Sequence, residues 1–156
     1  MQTPATTALD EAGVEYRTTG YDVGDVVRGY GERLVASLDL DPDTVGKSLV
    51  VTLDDGRHVV AVVPVSATLD LKALARAAGA KRAAMADEST AERLSGSVPG
   101  GIAPLGHRRP LPVYVDELLS AADEIHVSGG RRGLEISLAP ADLIAATSAT
   151  VADLTA

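Results

Sequence analysis

The chain of 156 residues has the size of one domain and can bury roughly 68–70% of the surface that its unfolded form exposes. It contains no Cys, Phe or Trp and only four Tyr, which excludes disulfides, thiolate metal ligands and a cysteine nucleophile and leaves few rings on which nucleic-acid bases could stack. The net charge of −8 also disfavours tight, non-specific binding along a nucleic acid.

Local signals in the first half of the chain predict short helices before a buried hairpin. Apolar runs over residues 48–53 and 58–65 flank Asp55-Gly56, the strongest hairpin signal in the sequence. Both runs are almost wholly apolar, so we expect them to lie centrally and to be buried on both faces. The elements predicted before the hairpin are a capped helix that begins at Thr3-Pro4 and ends at Gly13, a strand over residues 14–18, a helix over residues 30–38 and a brief helix at Asp41-Pro42.

The second half predicts helices and strands in mixed order. These are a helix over residues 69–78, a strand over 81–85, a helix opened by the capping box Ser89-Thr-Ala-Glu92 and closed by Gly96, strands over 112–116, 124–127 and 134–138, and a helix from Pro140 through Ala146. We therefore predict a single α+β domain over residues 1–156, with a central mixed, partly barrel-like β-sheet surrounded by helices. The last eight or so residues, rich in Ser, Thr and Ala, are expected to fray.

Two glycine clusters are the first candidates for a site. Val98 to Gly106 reads Val-Pro-Gly-Gly-Ile-Ala-Pro-Leu-Gly, a loop whose prolines fix its shape and whose glycines let a ligand approach the main chain. Ser128 to Gly133 adds two guanidinium groups that suit phosphate or carboxylate. Either cluster alone could be an ordinary tight turn. Nine of the 14 Lys and Arg lie within residues 72–132, against seven acidic residues there, which is typical of contact with a few phosphates.

The sequence lacks the motifs that mark several classes of function. The three histidines show no metal-binding spacing, so we expect no metal and no cofactor. There is no nucleophile elbow, P-loop or Rossmann fingerprint. The N-terminus lacks a basic, apolar leader and the longest apolar run, residues 58–65, is too short to cross a bilayer, so we expect a cytoplasmic protein that does not contact a membrane.

Single side chains allow two interpretations each. Lys47 lies between Gly46 and a buried strand, where its amine would emerge at the end of the sheet, or it is an ordinary surface lysine. Ser128 could bind a ligand or cap a turn, Asp142 could do so or complement a helix dipole, and Tyr21 could do so or be a core ring with a solvated hydroxyl.

Ordered motifs across nearly the whole chain resemble the YbaK/EbsC family, whose members are free-standing relatives of the editing domain inserted in bacterial prolyl-tRNA synthetase. The motifs are Thr3-Pro4-Ala5, Tyr21, Tyr30-Gly31, Val45-Gly46-Lys47-Ser48-Leu49, Leu69-Asp70-Leu71-Lys72, Met85-Ala86-Asp87, Gly100-Gly101-Ile102-Ala103-Pro104-Leu105-Gly106, Val127-Ser128-Gly129-Gly130-Arg131-Arg132-Gly133-Leu134 and Ala139-Pro140-Ala141-Asp142-Leu143.

The resemblance implies hydrolysis of the ester between a wrong amino acid and tRNA. The Gly-Gly-Ile-Ser-Pro form of the loop is similar to the branch that removes cysteine from tRNA(Pro), in which the thiol of the substrate attacks its own ester; here Ala103 replaces that serine. By residue match, the resemblance implies that Lys47 and Gly101 are catalytic. It also implies a set of substrate-binding residues: Tyr21, Gly100, Ser128, Gly129 and Asp142.

Two alternatives to removal of cysteine stay open. One is an Ala-tRNA(Pro) deacylase in which water attacks the ester. The other is a non-catalytic module that binds tRNA ends or small nucleotides in the same pocket. The expected partners are the acceptor end of a mischarged tRNA and, because the basic region is small on an acidic body, prolyl-tRNA synthetase as a source of tRNA selectivity.

Overall fold

The computed structural model describes residues 2–22, 34–36 and 38–156. The helices with full bounds are α1 (Pro4–Glu11), a 3₁₀ helix (Pro42–Thr44), α2 (Leu71–Ala77), α3 (Glu88–Ser95), α4 (Glu117–Ser120) and α5 (Pro140–Thr147). The strands are β1 (Arg17–Gly20), β2 (Gly46–Leu53), β3 (His58–Pro64), β4 (Ala83–Met85), β5 (Val113–Asp116), β6 (Ile125–Ser128), β7 (Leu134–Leu138) and β8 (Thr150–Ala152). Most of the helix predicted over residues 30–38 lies outside the described residues; residues 34–36 and 38 are helical.

The strands form two sheets. Five strands pair in the order β4-β2-β3-β5-β8, antiparallel around the β2–β3 hairpin and parallel from β3 to β8. Three strands pair antiparallel in the order β1-β7-β6. A parallel bridge between Val45 and His126 joins the two sheets. The prediction of an α+β fold with a mixed sheet is confirmed, but the described strands stop short of the expected barrel, since one isolated bridge and not a paired strand connects the sheets.

The core has one layer on each face of the five-stranded sheet. Alternate residues of the central hairpin supply the two layers, as the pleat of a strand requires. The first layer lies between the two sheets and includes Leu9, Val50, Val60, Val62, Ile102, Val127 and Ile136. The second layer lies under α2 and includes Val51, Val59, Val63, Leu74, Tyr114 and Leu154. The predicted burial on both faces is confirmed for β3, where every residue after His58 is buried, but is wrong for part of β2, where Ser48, Leu49 and Thr52 are only half-buried.

Two predicted boundaries are wrong for local reasons. The first strand begins at Arg17 rather than at residue 14, because the end of α1 still holds Val14, whose N–H donates to Leu9 O at 3.1 Å. The helix predicted to open with a capping box at Ser89 begins at Glu88 instead. Its N-cap is Asp87, whose carboxylate accepts from Thr90 N at 2.7 Å and, being negative, also suits the helix dipole.

The C-terminal tail is ordered, which corrects the expectation that it frays. Strand β8 pairs in parallel with β5, and Leu154 is completely buried in the second core layer. The backbone on both sides of this side chain is held as well, since Leu154 N donates to the buried carboxylate of Asp116 at 2.8 Å and Leu154 O accepts from Asp70 N at 2.7 Å. Burial of Leu154 therefore orders the tail, although the composition of the tail suggests disorder.

Leu154→Ala tests whether the tail belongs to the core. We expect the free energy of unfolding to fall by about 2–5 kcal/mol, because the change leaves a cavity in a fully packed layer. Val151→Ala, in the same strand but with a side chain that is 41% exposed, is the matched control and should cost less than about 1 kcal/mol. Urea denaturation measures both, and equal small losses would contradict the assignment.

Candidate functional site

The three-stranded sheet has one apolar and one polar face. Val127 and Ile136 point into the first core layer, so their neighbours along the strands point the other way. Register places Thr19, Glu135 and Ser128 side by side across the three strands, and Arg17, Ser137 and His126 in the next row. We call the face formed by these residues the polar face. It is the surface on which most of the predicted site residues meet.

Lys47 joins the polar face through the bridge between the sheets. Val45 and His126 are paired in parallel, so two residues further along each strand Lys47 and Ser128 project to the same side. Gly46 makes this approach possible: a Cβ there would lie 3.0 Å from Val62 Cγ1, with Leu119 and Val127 almost as near. The side chain of Lys47 is half-buried, and it makes no hydrogen bond or ion pair with residues 2–22, 34–36 or 38–156.

Tyr21 lies at the same end of the three-stranded sheet as Ser128. It follows β1 directly, and its backbone N–H donates to Gly133 O at 2.9 Å, which continues the pairing of β1 with β7. Partial burial raises the pKa of the phenol, and the negative charge of Glu135 raises it further. The ring is therefore close to Glu135 and keeps its proton throughout the neutral range.

Glu135 is a functional candidate that the sequence analysis missed. This carboxyl is only 3% exposed, and burial raises its pKa to about 8. It therefore carries a proton near neutral pH and can donate a hydrogen bond as well as accept one. The signal was present in the sequence, because Glu135 is the one charged residue in the strand Leu134-Glu-Ile-Ser-Leu, but alternation alone places such a residue in solvent.

The two glycine clusters pack against each other through their backbones. A Cβ on Gly101 would lie 2.8 Å from Arg132 N and 2.9 Å from Arg131 C, so this contact admits only glycine. Side chains fasten the same junction from three directions. Thr3 Oγ1 donates to Gly129 O at 2.6 Å, Ser97 Oγ donates to Gly130 O at 2.8 Å, and Arg132 Nε donates to Pro99 O at 2.7 Å.

The loop after Gly101 is buried and carries unused donors. Gly100 and Gly101 form a turn in which Gly101 N donates to Val98 O at 2.9 Å. The next two N–H groups, of Ile102 and Ala103, donate to no acceptor within the described ranges, although both residues are buried. His107 Nε2 lies 2.7 Å from Ala103 O and props the loop; burial lowers the pKa of this imidazole, so the ring is neutral and donates that bond.

Asp142 lies apart from the other predicted site residues. It is in the first turn of α5, which follows the end of β7 where Leu138 pairs with Ile125. Ser128 is at the opposite end of β6, about 10 Å along the strand. The structure brings together Lys47, Tyr21, Ser128, Gly129, Gly100 and Gly101. Asp142 instead lines a concavity of about 810 Å³ together with Arg17 and Ser137, from the row of the polar face that does not contain Ser128, and with Asp10, Tyr16 and Glu124.

No group of three or more His, Asp or Glu side chains that could hold a metal ion occurs between residues 2 and 156 outside the gaps at 23–33 and 37. Over the same stretch, no helix is long and apolar enough to cross a membrane.

Comparison with known proteins identifies the family of the chain. The model of the aminoacyl-tRNA editing domain matches residues 27–146, which is most of the chain and includes both glycine clusters. The chain belongs to the aminoacyl-tRNA editing family. A relative from Enterococcus faecalis, provisionally named the Cys-tRNA(Pro)/Cys-tRNA(Cys) deacylase EbsC, is 35% identical over 124 residues, covering 80% of this chain and 76% of the relative.

Solved structures agree on the fold. A protein provisionally described as a trans-editing enzyme for prolyl-tRNA synthetase superposes with a TM-score of 0.83 at 26% identity, covering 100% of this chain and 99% of the other. The hypothetical protein APE2540 superposes with a TM-score of 0.88 at 23% identity, covering 99% of this chain and 100% of the other, and at that identity supports the fold alone. The resemblance to the YbaK/EbsC family is confirmed.

Gly101→Ala tests the backbone contact between the clusters. The new methyl group would meet backbone atoms that cannot move without shifting the whole junction, so we expect unfolding to become easier by about 1–3 kcal/mol. Gly20→Ala is the matched control, since a Cβ there meets only Gly133 O at 3.8 Å and should change stability by less than about 1 kcal/mol. Equal effects in thermal or urea unfolding would show that the junction tolerates a side chain.

The pKa of Glu135 predicts a pH dependence of stability. The folded protein holds the proton up to about pH 8, whereas the unfolded chain releases it near the ordinary value of 4.5. The folded state binds more protons between these values, so its stability falls as pH rises through that window, by a few kcal/mol in total. Urea unfolding at pH 5 and pH 8 measures this against Glu135→Gln, which cannot ionise. If the free energy of unfolding of wild type and that of Glu135→Gln differed by the same amount at pH 5 and at pH 8, the prediction would be contradicted.

Proposed function

We propose that this protein removes cysteine from mischarged Cys-tRNA(Pro) by ester hydrolysis in the cytoplasm, in trans to prolyl-tRNA synthetase. The observation that carries the proposal is the meeting of Lys47 and Ser128 on one face, at the rim of two glycine loops that are locked backbone to backbone. Family membership and the 35% identity to EbsC support the substrate class.

Residues on and beside the polar face bind the terminal nucleotide. The ammonium of Lys47 has no partner in the described chain, so it is free to bind a phosphate or a hydroxyl of the terminal adenosine. The hydroxyls of Ser128 and Tyr21 lie within the same cluster and can hydrogen-bond the ribose. Gly129 next to Ser128 is buried, and a Cβ there would lie 2.6 Å from Leu134 Cγ, so this glycine allows Leu134 to pack under the turn.

The loop from Val98 to Gly106 stabilises the reacting carbonyl. The unused N–H groups of Ile102 and Ala103 follow Gly101 and can donate to the oxyanion as charge develops on it. The loop is held by Thr3, Ser97 and Arg132, so the donors need little rearrangement when the reaction occurs. Gly101 therefore contributes by shape, because a side chain at this position would displace the loop.

The attacking group comes from the substrate. The cysteinyl sulfur bonds to the ester carbon, the bond from that carbon to the ribose oxygen breaks, and the thiol proton is passed to the departing oxygen. Water then opens the cyclic thioester that is released. Glu135 is protonated near neutral pH and lies beside Ser128, so it suits the role of a relay that gives its proton to the ribose oxygen and takes up the thiol proton. Asp142 lies outside this cluster, and its predicted contact with substrate would have to be with another part of the tRNA.

Parallel deacylation of Cys-tRNA(Pro) and Ala-tRNA(Pro) tests the proposal. We expect rapid loss of the cysteinyl ester alone, and a decrease of about 100-fold or more in Lys47→Ala because the terminal nucleotide loses its charged anchor. Lys72→Ala, which removes an exposed lysine at the start of α2, is the matched control and should retain wild-type activity.

The two remaining outcomes are distinct. Hydrolysis of both esters, with S-alkylated cysteinyl-tRNA also consumed, would make water the attacker and move the protein to the alanyl class. Saturable binding of tRNA without loss of either ester would identify a non-catalytic binding module. Full activity of Lys47→Ala on Cys-tRNA(Pro) would overturn the assignment of this lysine.

A further inference from the structure

A second concavity of about 390 Å³ lies next to the glycine loop. It is formed by the exposed side of α3 and by the chain that leaves that helix, and it ends at Val98, the first residue of the loop. The lining carries two arginines and one carboxylate. Its residues are Ser89, Glu92, Arg93, Gly96, Ser97, Val98 and Arg108. We call this concavity the arginine groove.

The guanidinium groups of the arginine groove are available for a ligand. Arg93 and Arg108 are exposed, and neither makes an ion pair or a side-chain hydrogen bond within residues 2–22, 34–36 or 38–156. Backbone hydrogen bonds fix the position of the second arginine, since Arg108 N donates to Ser95 O at 3.4 Å. Arg109 is also exposed and without a side-chain partner in that part of the chain, and its backbone N–H donates to Leu94 O at 3.2 Å, next to the end of α3.

The lining carries two arginines against one carboxylate, Glu92, while Asp87 and Glu88 precede it at the start of α3. Hydrogen bonds from Thr90 are the largest cause of the lowered pKa of Asp87, and the nearby charge of Arg93 lowers it further. Asp87 is already committed as the N-cap of α3. On a body with a net charge of −8, a local excess of positive charge is where an approaching polyanion is drawn.

A short chain of contacts connects the groove with the candidate active site. Ser97, in the lining, donates from Oγ to Gly130 O at 2.8 Å, and Gly130 N donates to Ser128 Oγ at 3.2 Å. One glycine therefore separates the two sites. A nucleic-acid strand whose last nucleotide lies at Ser128 would continue past Gly130 towards Arg108.

We infer that the arginine groove binds backbone phosphates of the acceptor strand, one or two nucleotides before the terminal adenosine. This inference rests on the proposed function and adds to it the part of the tRNA that the chain holds by itself. Arginine suits this role because its planar fork contacts phosphate oxygens in pairs and stays charged at any physiological pH.

Binding of an uncharged RNA hairpin that ends in a single-stranded CCA tail tests the inference without requiring catalysis. Fluorescence anisotropy should give about tenfold weaker binding for Arg108→Gln than for wild type, and a similar loss for Arg93→Gln. The slope of log K against log salt should become shallower by about 0.7 for each arginine, as expected for one contact with a single-stranded phosphate.

Two controls separate a phosphate site from a general charge effect. Arg76→Gln removes the same charge from the exposed last turn of α2, which packs on the other core layer, and it should change neither affinity nor slope. In deacylation of Cys-tRNA(Pro), the groove variants should raise KM and leave kcat near the wild-type value. Equal losses in Arg76→Gln, or unchanged RNA binding in both groove variants, would overturn the inference.

Failure of the inference can be told apart from failure of the proposed function. If wild type hydrolyses no aminoacyl-tRNA but binds the hairpin through Arg93 and Arg108, the function fails and the groove stands. If hydrolysis occurs and the groove variants affect it only when prolyl-tRNA synthetase is present, with hairpin binding unchanged, the groove contacts a protein and the inference is overturned.

Discussion

The backbone contact between Gly101 and the Arg131–Arg132 peptide is the constraint on which the rest of the site depends. These segments are thirty residues apart in sequence, and one belongs to a loop while the other is the turn of a hairpin. Their main chains approach so closely that no side chain fits between them. Because Thr3, Ser97 and Arg132 fasten the same junction, the helix α1, the loop and the three-stranded sheet are positioned together and cannot move separately.

The two faces of the three-stranded sheet have different roles. Its apolar face closes the first core layer, so the sheet is held in place by burial of Val127 and Ile136. Its polar face carries Ser128, Glu135 and, through the Val45–His126 bridge, Lys47. The raised pKa of Glu135 follows from its burial on this face, since only 3% of the residue is exposed.

Sequence reasoning predicted the elements that depend on neighbouring residues and missed those that depend on distant ones. The central hairpin follows from Asp55-Gly56 between apolar runs, and the first helix from Thr3-Pro4. Helix α4 has four residues, too few for a periodic pattern, and β8 exists because Leu154 finds a cavity formed by other elements. The family motifs led to most of the cluster, whereas Glu135 and the placement of Asp142 required the register of β6 and β7.

The pairing of β2 with β3 has a consequence for insertions and deletions. Lys47 stands opposite Val63 and Thr52 opposite His58, so the tight turn at residues 54–57 sets the register of the whole hairpin. Since side chains alternate along a strand, a shift of one residue would turn Lys47 to the opposite face and bury its ammonium against the first core layer. The length of a solvent-exposed turn far from the candidate active site therefore determines which face Lys47 occupies. Relatives that keep this lysine should therefore vary the turn in sequence while preserving its number of residues.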